Sequence, residues 1–187
     1  RETIREKNTT LLVEGNVDVV RLHAAEHRHT VAALGTALTS EQATVIARFA
    51  PSTTLFYDGD SAGAKATLRA IPLLLAAGLD VRVARPPVGK DPADLAEEGQ
   101  EVLDAVLNAA MPSLHYVVQN LQESLGTSPS ASGQILSQAL TIAAQIPEEA
   151  SARHAAWTVY RLLGLDRGVT DSELNRRLSK ARVKAQR

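Results

Sequence analysis

An α/β domain built on a mainly parallel four-stranded sheet flanked by helices, followed by an all-α helical bundle, is the architecture this 187-residue sequence predicts. Three observations predict it. Short β-rich apolar runs alternate with helical spacings from residue 9 to about 98, the pattern of parallel strands joined by right-handed crossovers. From about 99 onward the spacing is helical only. The composition is 44% hydrophobic with only 3% aromatic residues, so the core is made mostly of Ala, Leu and Val side chains, on which helices pack closely.

The first strand is "TTLLVEG" (9–15), and "NVDVVRLHAAEH" then shows Val17, Val20 and Ala24 at helical spacing. "TVAALG" (30–35) is a second strand, followed by the helix "TSEQATVIARFA", which Thr39 or Ser40 caps. "PSTTLFYDGD" supplies a third strand and "SAGAKATLRAIPLLLAAG" a third helix, with Pro72 as a kink candidate. "LDVRVARPP" is a fourth strand, alternating Val81 and Val83 with Arg82 and Arg85. Beyond it, "EVLDAVLNAAMPSLHYVVQNLQESLG" is helical, "TSPSASG" (127–133) is a loop, and three more helical segments run to the end. Pro147 suits a first helical turn and Gly164 a helix stop. The expected domains are 1–98 and 99–187.

A formal net charge of −1 gives no global basic field, so a polyanion site must be local or metal-assisted. The absence of cysteine excludes disulfides, thiolate zinc sites and cysteine nucleophiles, and suits a reducing, cytoplasmic setting. No apolar stretch approaches the ~20 residues of a membrane span, so no membrane partner is expected. The start at Arg1 rather than Met suggests a segment from inside a longer protein or one that follows processing.

In open α/β sheets ligands sit at the carboxyl ends of the strands, and the acids of this chain gather there. Glu14 ends the first strand, Asp58 and Asp60 end the third, and Asp91 and Asp94 follow the fourth in "GKDPADL". Converging carboxylates repel one another unless a cation intervenes, and an oxygen-only set suits Mg2+ or Mn2+ better than zinc. Gly15 and Gly59 would let backbone approach a ligand closely. Any one of these acids taken alone reads as a solvated loop residue or a helix cap; three strand ends carrying them read as a set.

Other candidates have plainer readings beside the functional one. His23 and His27 lie four residues apart with His29 nearby, a metal cluster or a solvated helix end. Lys65 and Lys90 would touch nucleotide phosphates or stay solvated. "RRLSKARVKAQR" holds six basic residues and no acid, a nucleic-acid grip or an exposed helix. Trp157 and Tyr160 are bundle core rather than a base-stacking surface, and Ser61 is a helix cap rather than a nucleophile.

The segments "LLVEGNVDVV", "ALGTALTSEQ", "FYDGDSAGAKA" and "GKDPADL" resemble, in order, successive motifs of the TOPRIM domain of DnaG-type bacterial primases. The helical remainder resembles, more weakly, the helices that follow TOPRIM in the primase core. The resemblance implies that Glu14 is the family's glutamate, that Asp58 and Asp60 are its metal-binding DxD pair, and that Asp18 is the aspartate of "EGxxD". It further implies that Asp91 is the first acid of a "DPD" segment. Two departures stand out: Ala93 occupies the position of the second "DPD" aspartate, with Asp94 beside it, and Asn16-Val17 replaces the usual Tyr-Met or Tyr-Phe.

The implied activity is synthesis of RNA primers on single-stranded DNA from ribonucleoside triphosphates, with Mg2+ or Mn2+ as cofactor. The implied partner is the replicative helicase, reached through a domain outside this chain. Glu14, Asp58, Asp60 and Asp91 would bind metal, Gly15, Asp18 and Asp94 would support them, and Lys65 and Lys90 would bind nucleotide. Alternatives are another TOPRIM enzyme, a nuclease or topoisomerase, and a non-catalytic metal- or nucleotide-binding module. A haloacid-dehalogenase-like phosphatase fits less well, because its DxD pair belongs on the first strand.

Overall fold

The computed structural model describes residues 1–34 and 37–185 and divides into two compact units, Arg1–Pro112 and Ser113–Arg187. Gly35 and Thr36, within the expected second strand and the "ALGTALTSEQ" segment, lie outside the described residues, as do the last two residues of the basic tail.

In the first unit, β1 (Thr9–Val13), β2 (Thr30–Ala32), β3 (Ser52–Leu55) and β4 (Asp80–Val83) form a parallel sheet in the order β2-β1-β3-β4. A short helix, α1 (Glu2–Lys7), precedes β1. The crossovers carry α2 (Asn16–Ala24), α3 (Ser40–Ala47) and α4 (Ser61–Ala76), and α5 (Pro92–Glu98) and α6 (Gln100–Asn108) follow β4. Thr39 caps α3: its hydroxyl accepts the Gln42 N–H at 3.2 Å while Gln42 returns its carbonyl oxygen to the Thr39 N–H.

Strand alternation sorts the core between the two faces of the sheet. Leu11 and Val13 of β1 pack with Leu22 of α2, Leu95 of α5 and Leu103 of α6. Thr10 and Leu12 point the other way, toward Ile46 and Phe49 at the end of α3. Between β1 and β3 the buried Thr10 hydroxyl donates to that of Thr53 at 2.8 Å, so the polar pair satisfies itself inside the sheet.

The four-stranded sheet and the single helix over 101–126 are corrected. The sheet has a fifth strand: Met111–Pro112, β5, pairs antiparallel with β4 through Val83↔Met111 and Arg82↔Pro112. It interrupts the long helix expected over 101–126, because proline resists helix continuation, and the Arg82 guanidinium donates to the Ala110 carbonyl left exposed there. The first compact unit runs to Pro112, with α6 and β5 completing its core and sheet. Pro72 lies inside α4.

The second unit contains α7 (Ser113–Leu125), α8 (Pro129–Ala143), α9 (Glu149–Leu162) and α10 (Asp171–Ala185); α8 and α9 pack on each other and on both α7 and α10. "TSPSASG" is mostly helix: the Ser128 hydroxyl accepts the Ala131 N–H at 3.2 Å and Pro129 takes the first helical position, where its missing N–H costs nothing. Pro147 lies ahead of α9, whose cap is Glu148. Gly164 does stop α9, at φ 65°, with the Leu165 N–H reaching back to the Tyr160 carbonyl at 2.9 Å. Tyr160 is buried in the bundle core, whereas Trp157 is half-buried and its indole N–H donates to Asp171 at the surface, at 3.2 Å.

Candidate metal centre

The β1–β3 register, with Leu12 opposite Leu55, brings the carboxyl ends of the two strands level. The Phe56 N–H donates to the Leu12 carbonyl at 2.8 Å and the Ala84 N–H to the Leu55 carbonyl at 2.9 Å, so the pairing continues past β3. Glu14 and Asp58 consequently leave the sheet at one edge. The loop after β4 joins them there: the Gly59 N–H donates to the Lys90 carbonyl at 2.9 Å. A Cβ at Gly59 would collide with the Pro86 and Pro87 carbonyls, so only glycine permits this approach.

Four of the acids have structural duties. Asp60 is the N-cap of α4: its Oδ1 accepts the N–H groups of Ala62 and Gly63 at 2.9 and 2.8 Å. Asp91 caps α5, accepting the Asp94 N–H at 2.7 Å, while Asp94 returns an oxygen to the Asp91 N–H at 3.1 Å. Asp18, 7% exposed, accepts the Gly15 N–H at 3.0 Å at the start of α2. Ser61, expected to cap α4, is instead its first residue, and Asp60 does the capping.

Glu14 and Asp58 are different. Glu14 Oε1 is buried with no hydrogen-bond partner, and no hydrogen bond to the Asp58 carboxyl is formed among the described residues. Burial pushes the Glu14 carboxyl above the ordinary range; the backbone N–H of Asp58 opposes this, and the charges of Asp60 and Asp18 add to it. Burial, then the charges of Glu14, Asp18, Asp91 and Asp60, push Asp58 up to about 6. Asp18 is also raised, by burial foremost and by Asp91 and Asp94, against the Gly15 N–H. Six acids gathered at three strand ends, Glu14, Asp18, Asp58, Asp60, Asp91 and Asp94, thus act on one another electrostatically.

The donor set fits a hard divalent cation. The donors are all carboxylate oxygens, the type that magnesium or manganese takes, while among the described residues no three His, Asp or Glu side chains stand together as a ready metal cage. Asp60 and Asp91 each cap through Oδ1 alone, leaving Oδ2 clear. The histidines do not form a metal cluster: His23 is on α2, whereas His27 and His29 lie beyond it and are buried. His27 Nε2 sits 3.2 Å from Asp104 Oδ1 and 3.1 Å from the Gln100 amide nitrogen, tying the entry of β2 to α6.

Two contributors were missed by sequence reasoning. A Cβ on Gly63 would overlap the Asp58 backbone, so this glycine lets the metal-site loop fold onto α4. Arg69, exposed on α4, opposes the upward shift of Glu14 and lines with it, Leu38 and Tyr57 a cavity of about 280 Å³. The helical spacing of Ala66, Arg69 and Ala70 was the available signal. Of the two lysines, Lys65 is exposed on α4, and the Lys90 ammonium pairs with Glu98.

A parallel sheet with acids at the carboxyl ends of adjacent strands agrees with the class that the sequence matches: residues 11–96 match a family model described as Toprim-like. The chain is 40% identical over 126 residues to the DNA primase of Aquifex aeolicus, covering 67% of this chain and 25% of that protein. In structure it is similar to a DNA primase domain from Pseudomonas aeruginosa, with TM-score 0.79 and 27% identity over 94% of this chain and 56% of that one. It is also similar to a DnaG primase catalytic domain bound to single-stranded DNA, with TM-score 0.74 and 29% identity over 84% of this chain and 51% of that one. The chain corresponds to the TOPRIM domain and following helical part of a DnaG-type bacterial primase, a family whose TOPRIM domains use divalent metal. It spans about a quarter of the length of the Aquifex relative. Among the described residues no helix is long and apolar enough to cross a membrane.

Proposed function

We propose that this chain is the metal-binding part of a primase catalytic core, which joins ribonucleoside triphosphates into short RNA primers on single-stranded DNA in the cytoplasm. Glu14, Asp58, Asp60 and Asp91 hold Mg2+ or Mn2+. The observation that carries this reading is the pair at the β1 and β3 ends: a buried, unpartnered Glu14 oxygen and an Asp58 carboxyl pushed up to about 6. Such a pair is poorly satisfied by protein alone and well satisfied by a cation.

A bound divalent ion would stabilise the attacking 3′-hydroxyl oxygen and the leaving pyrophosphate oxygen. The chain's own groups prepare that site. The cap bonds from Ala62 and Gly63 fix the Asp60 carboxylate, and the Asp91–Asp94 box fixes Asp91. Asp18 holds the Gly15 N–H and so sets where Glu14 leaves the strand. Glu14 acts as a metal ligand or takes the proton of the attacking hydroxyl; its raised pKa suits the second role. Lys65 and Lys90 face the nucleotide phosphates. The helicase is engaged through a segment outside this chain.

The competing reading, in which the acids only cap helices, draws on the caps formed by Asp60 and Asp91. Calorimetric titration with Mn2+ separates the two. The Asp58→Asn variant, which disturbs no cap, should bind at least ~100-fold more weakly while its circular dichroism stays that of the parent. Equal binding by that variant would leave the capping reading standing.

A further inference from the structure

The helical unit carries its own charged groove, remote in sequence from the acids. Its floor is Leu136, Leu140 and Ala181, and its volume is about 310 Å³. One wall, from α8, presents Gly133, Ser137 and Thr141, spaced four residues apart and so aligned on one face. The other wall, from α10, presents Arg177, Lys180 and Lys184, also on one face.

The electrostatics are one-sided. Helix α8 has no charged residue, so nothing on its wall offsets the cations opposite. The two acids of α10, Asp171 and Glu173, sit in its first turn. Glu173 pairs with Arg177 at 2.6 Å, and no ion pair to Lys180 or Lys184 is formed among the described residues. Both lysines are exposed. Two unpaired ammoniums one helical turn apart therefore face a neutral wall with an exposed glycine, where a Cβ would meet nothing within 4 Å.

We infer that this groove binds the sugar–phosphate backbone of single-stranded nucleic acid. The rise between Lys180 and Lys184 is about 6 Å at 1.5 Å per residue, close to the spacing of successive phosphates on an extended strand. The Ser137 hydroxyl supplies a neutral donor on the opposite wall, and the apolar floor accepts sugar or base faces. Charge complementarity selects the occupant: a polyanion with regularly repeated charge matches a row of cations, whereas scarce aromatics exclude a stacking platform. This inference goes beyond the metal-centre reading and does not depend on it.

The test is fluorescence anisotropy of a fluorescein-labelled oligo(dT) 20-mer with the whole chain in EDTA, at 50 and 200 mM salt. Wild type should bind and lose roughly tenfold or more in affinity across that range, as two or three phosphate contacts require. Lys180→Ala/Lys184→Ala should weaken binding about tenfold at low salt and flatten the salt slope by about 1.4. Both substitutions are at exposed helix positions, and unchanged circular dichroism verifies the fold. Absence of oligo(dT) binding, or binding unaffected by the double substitution, overturns the inference. So would poly-glutamate binding that the double variant loses while oligo(dT) binding persists, since the groove would then be a seat for an acidic protein segment. Working in EDTA keeps failure here distinct from failure of the metal reading.

Discussion

The two units of this chain treat charge in opposite ways. Residues 1–112 hold 15 acids against 11 lysines and arginines, a formal charge of −4, while residues 113–187 hold 6 against 9, a formal charge of +3. In the first unit the acids are drawn inward, to strand ends where burial and mutual repulsion raise Glu14, Asp18 and Asp58. In the second Arg176, Arg177, Lys180 and Lys184 stand exposed on α10, with Arg177 paired to Glu173. The near-zero total conceals both arrangements. An inward cluster of acids would suit a small, hard counter-ion, and an outward row of cations a large, diffuse one.

Glycine substitution breaks the comparison most sharply. At Gly63 an added Cβ overlaps the Asp58 backbone, and at Gly133 it meets open space, although both positions are helical. Gly63→Ala should therefore lose roughly 2–3 kcal/mol and weaken Mn2+ binding by displacing Asp58. Gly133→Ala should gain up to about 1 kcal/mol. Thermal denaturation of the two variants checks both signs. A neutral Gly63→Ala would mean that the loop before α4 has slack, and the tight docking of Asp58 onto that helix would be wrong.

Much of this was legible in the sequence because two periodicities, strand and helix, alternate cleanly to residue 98. What escaped was short or ambiguous. Helix α1 is six residues with one buried side chain, Ile4, too little for a periodic signal, and β5 is two residues long. The acids were legible as strand-end residues, yet their duties could not be separated. An aspartate just before a helix at the end of a strand is the same letter whether it caps the helix or binds a metal. Asp60 and Asp91 are caps in the structure, and only the geometry isolates Glu14 and Asp58 as the acids without such work. Arg69 was hidden among helix-surface residues: its spacing with Ala66 and Ala70 puts it on one face of α4 but does not say that Glu14 lies opposite.

The next effect is in pH, and it arises wholly within the first unit. Burial pushes His29 down to about 4, so its neutral form is favoured by folding. That contribution is complete above the ordinary histidine pKa of about 6.5 and is lost as pH falls from there toward 4. Asp58, raised to about 6, has the opposite slope: its ionised form burdens the folded state, so its effect improves stability as pH falls from 6 toward the ordinary value near 3.8. Between pH 6 and 4 the two cancel. In chelator, urea denaturation of the parent should be nearly level over that interval with respect to these groups, and Asp58→Asn should expose the histidine slope, up to about 1.4 kcal/mol per pH unit. A variant as level as the parent would show that His29 is not held neutral.

The smallest effect separates the two duties of a single residue. Asp60 offers Oδ1 to Ala62 and Gly63 and keeps Oδ2 clear, so the capping and metal roles use different atoms. Asparagine retains the capping oxygen and loses the charge; alanine loses both. Asp60→Asn should unfold within a few tenths of a kcal/mol of the parent, whereas Asp60→Ala should be about 1 kcal/mol less stable. Both should lose Mn2+ affinity to a similar degree if the carboxylate is a ligand. Should Asp60→Asn bind Mn2+ like the parent, Asp60 is a cap alone, and the metal set contracts to Glu14, Asp58 and Asp91. The comparison of the units would survive that outcome, because the inward strain resides in Glu14 and Asp58, neither of which caps a helix.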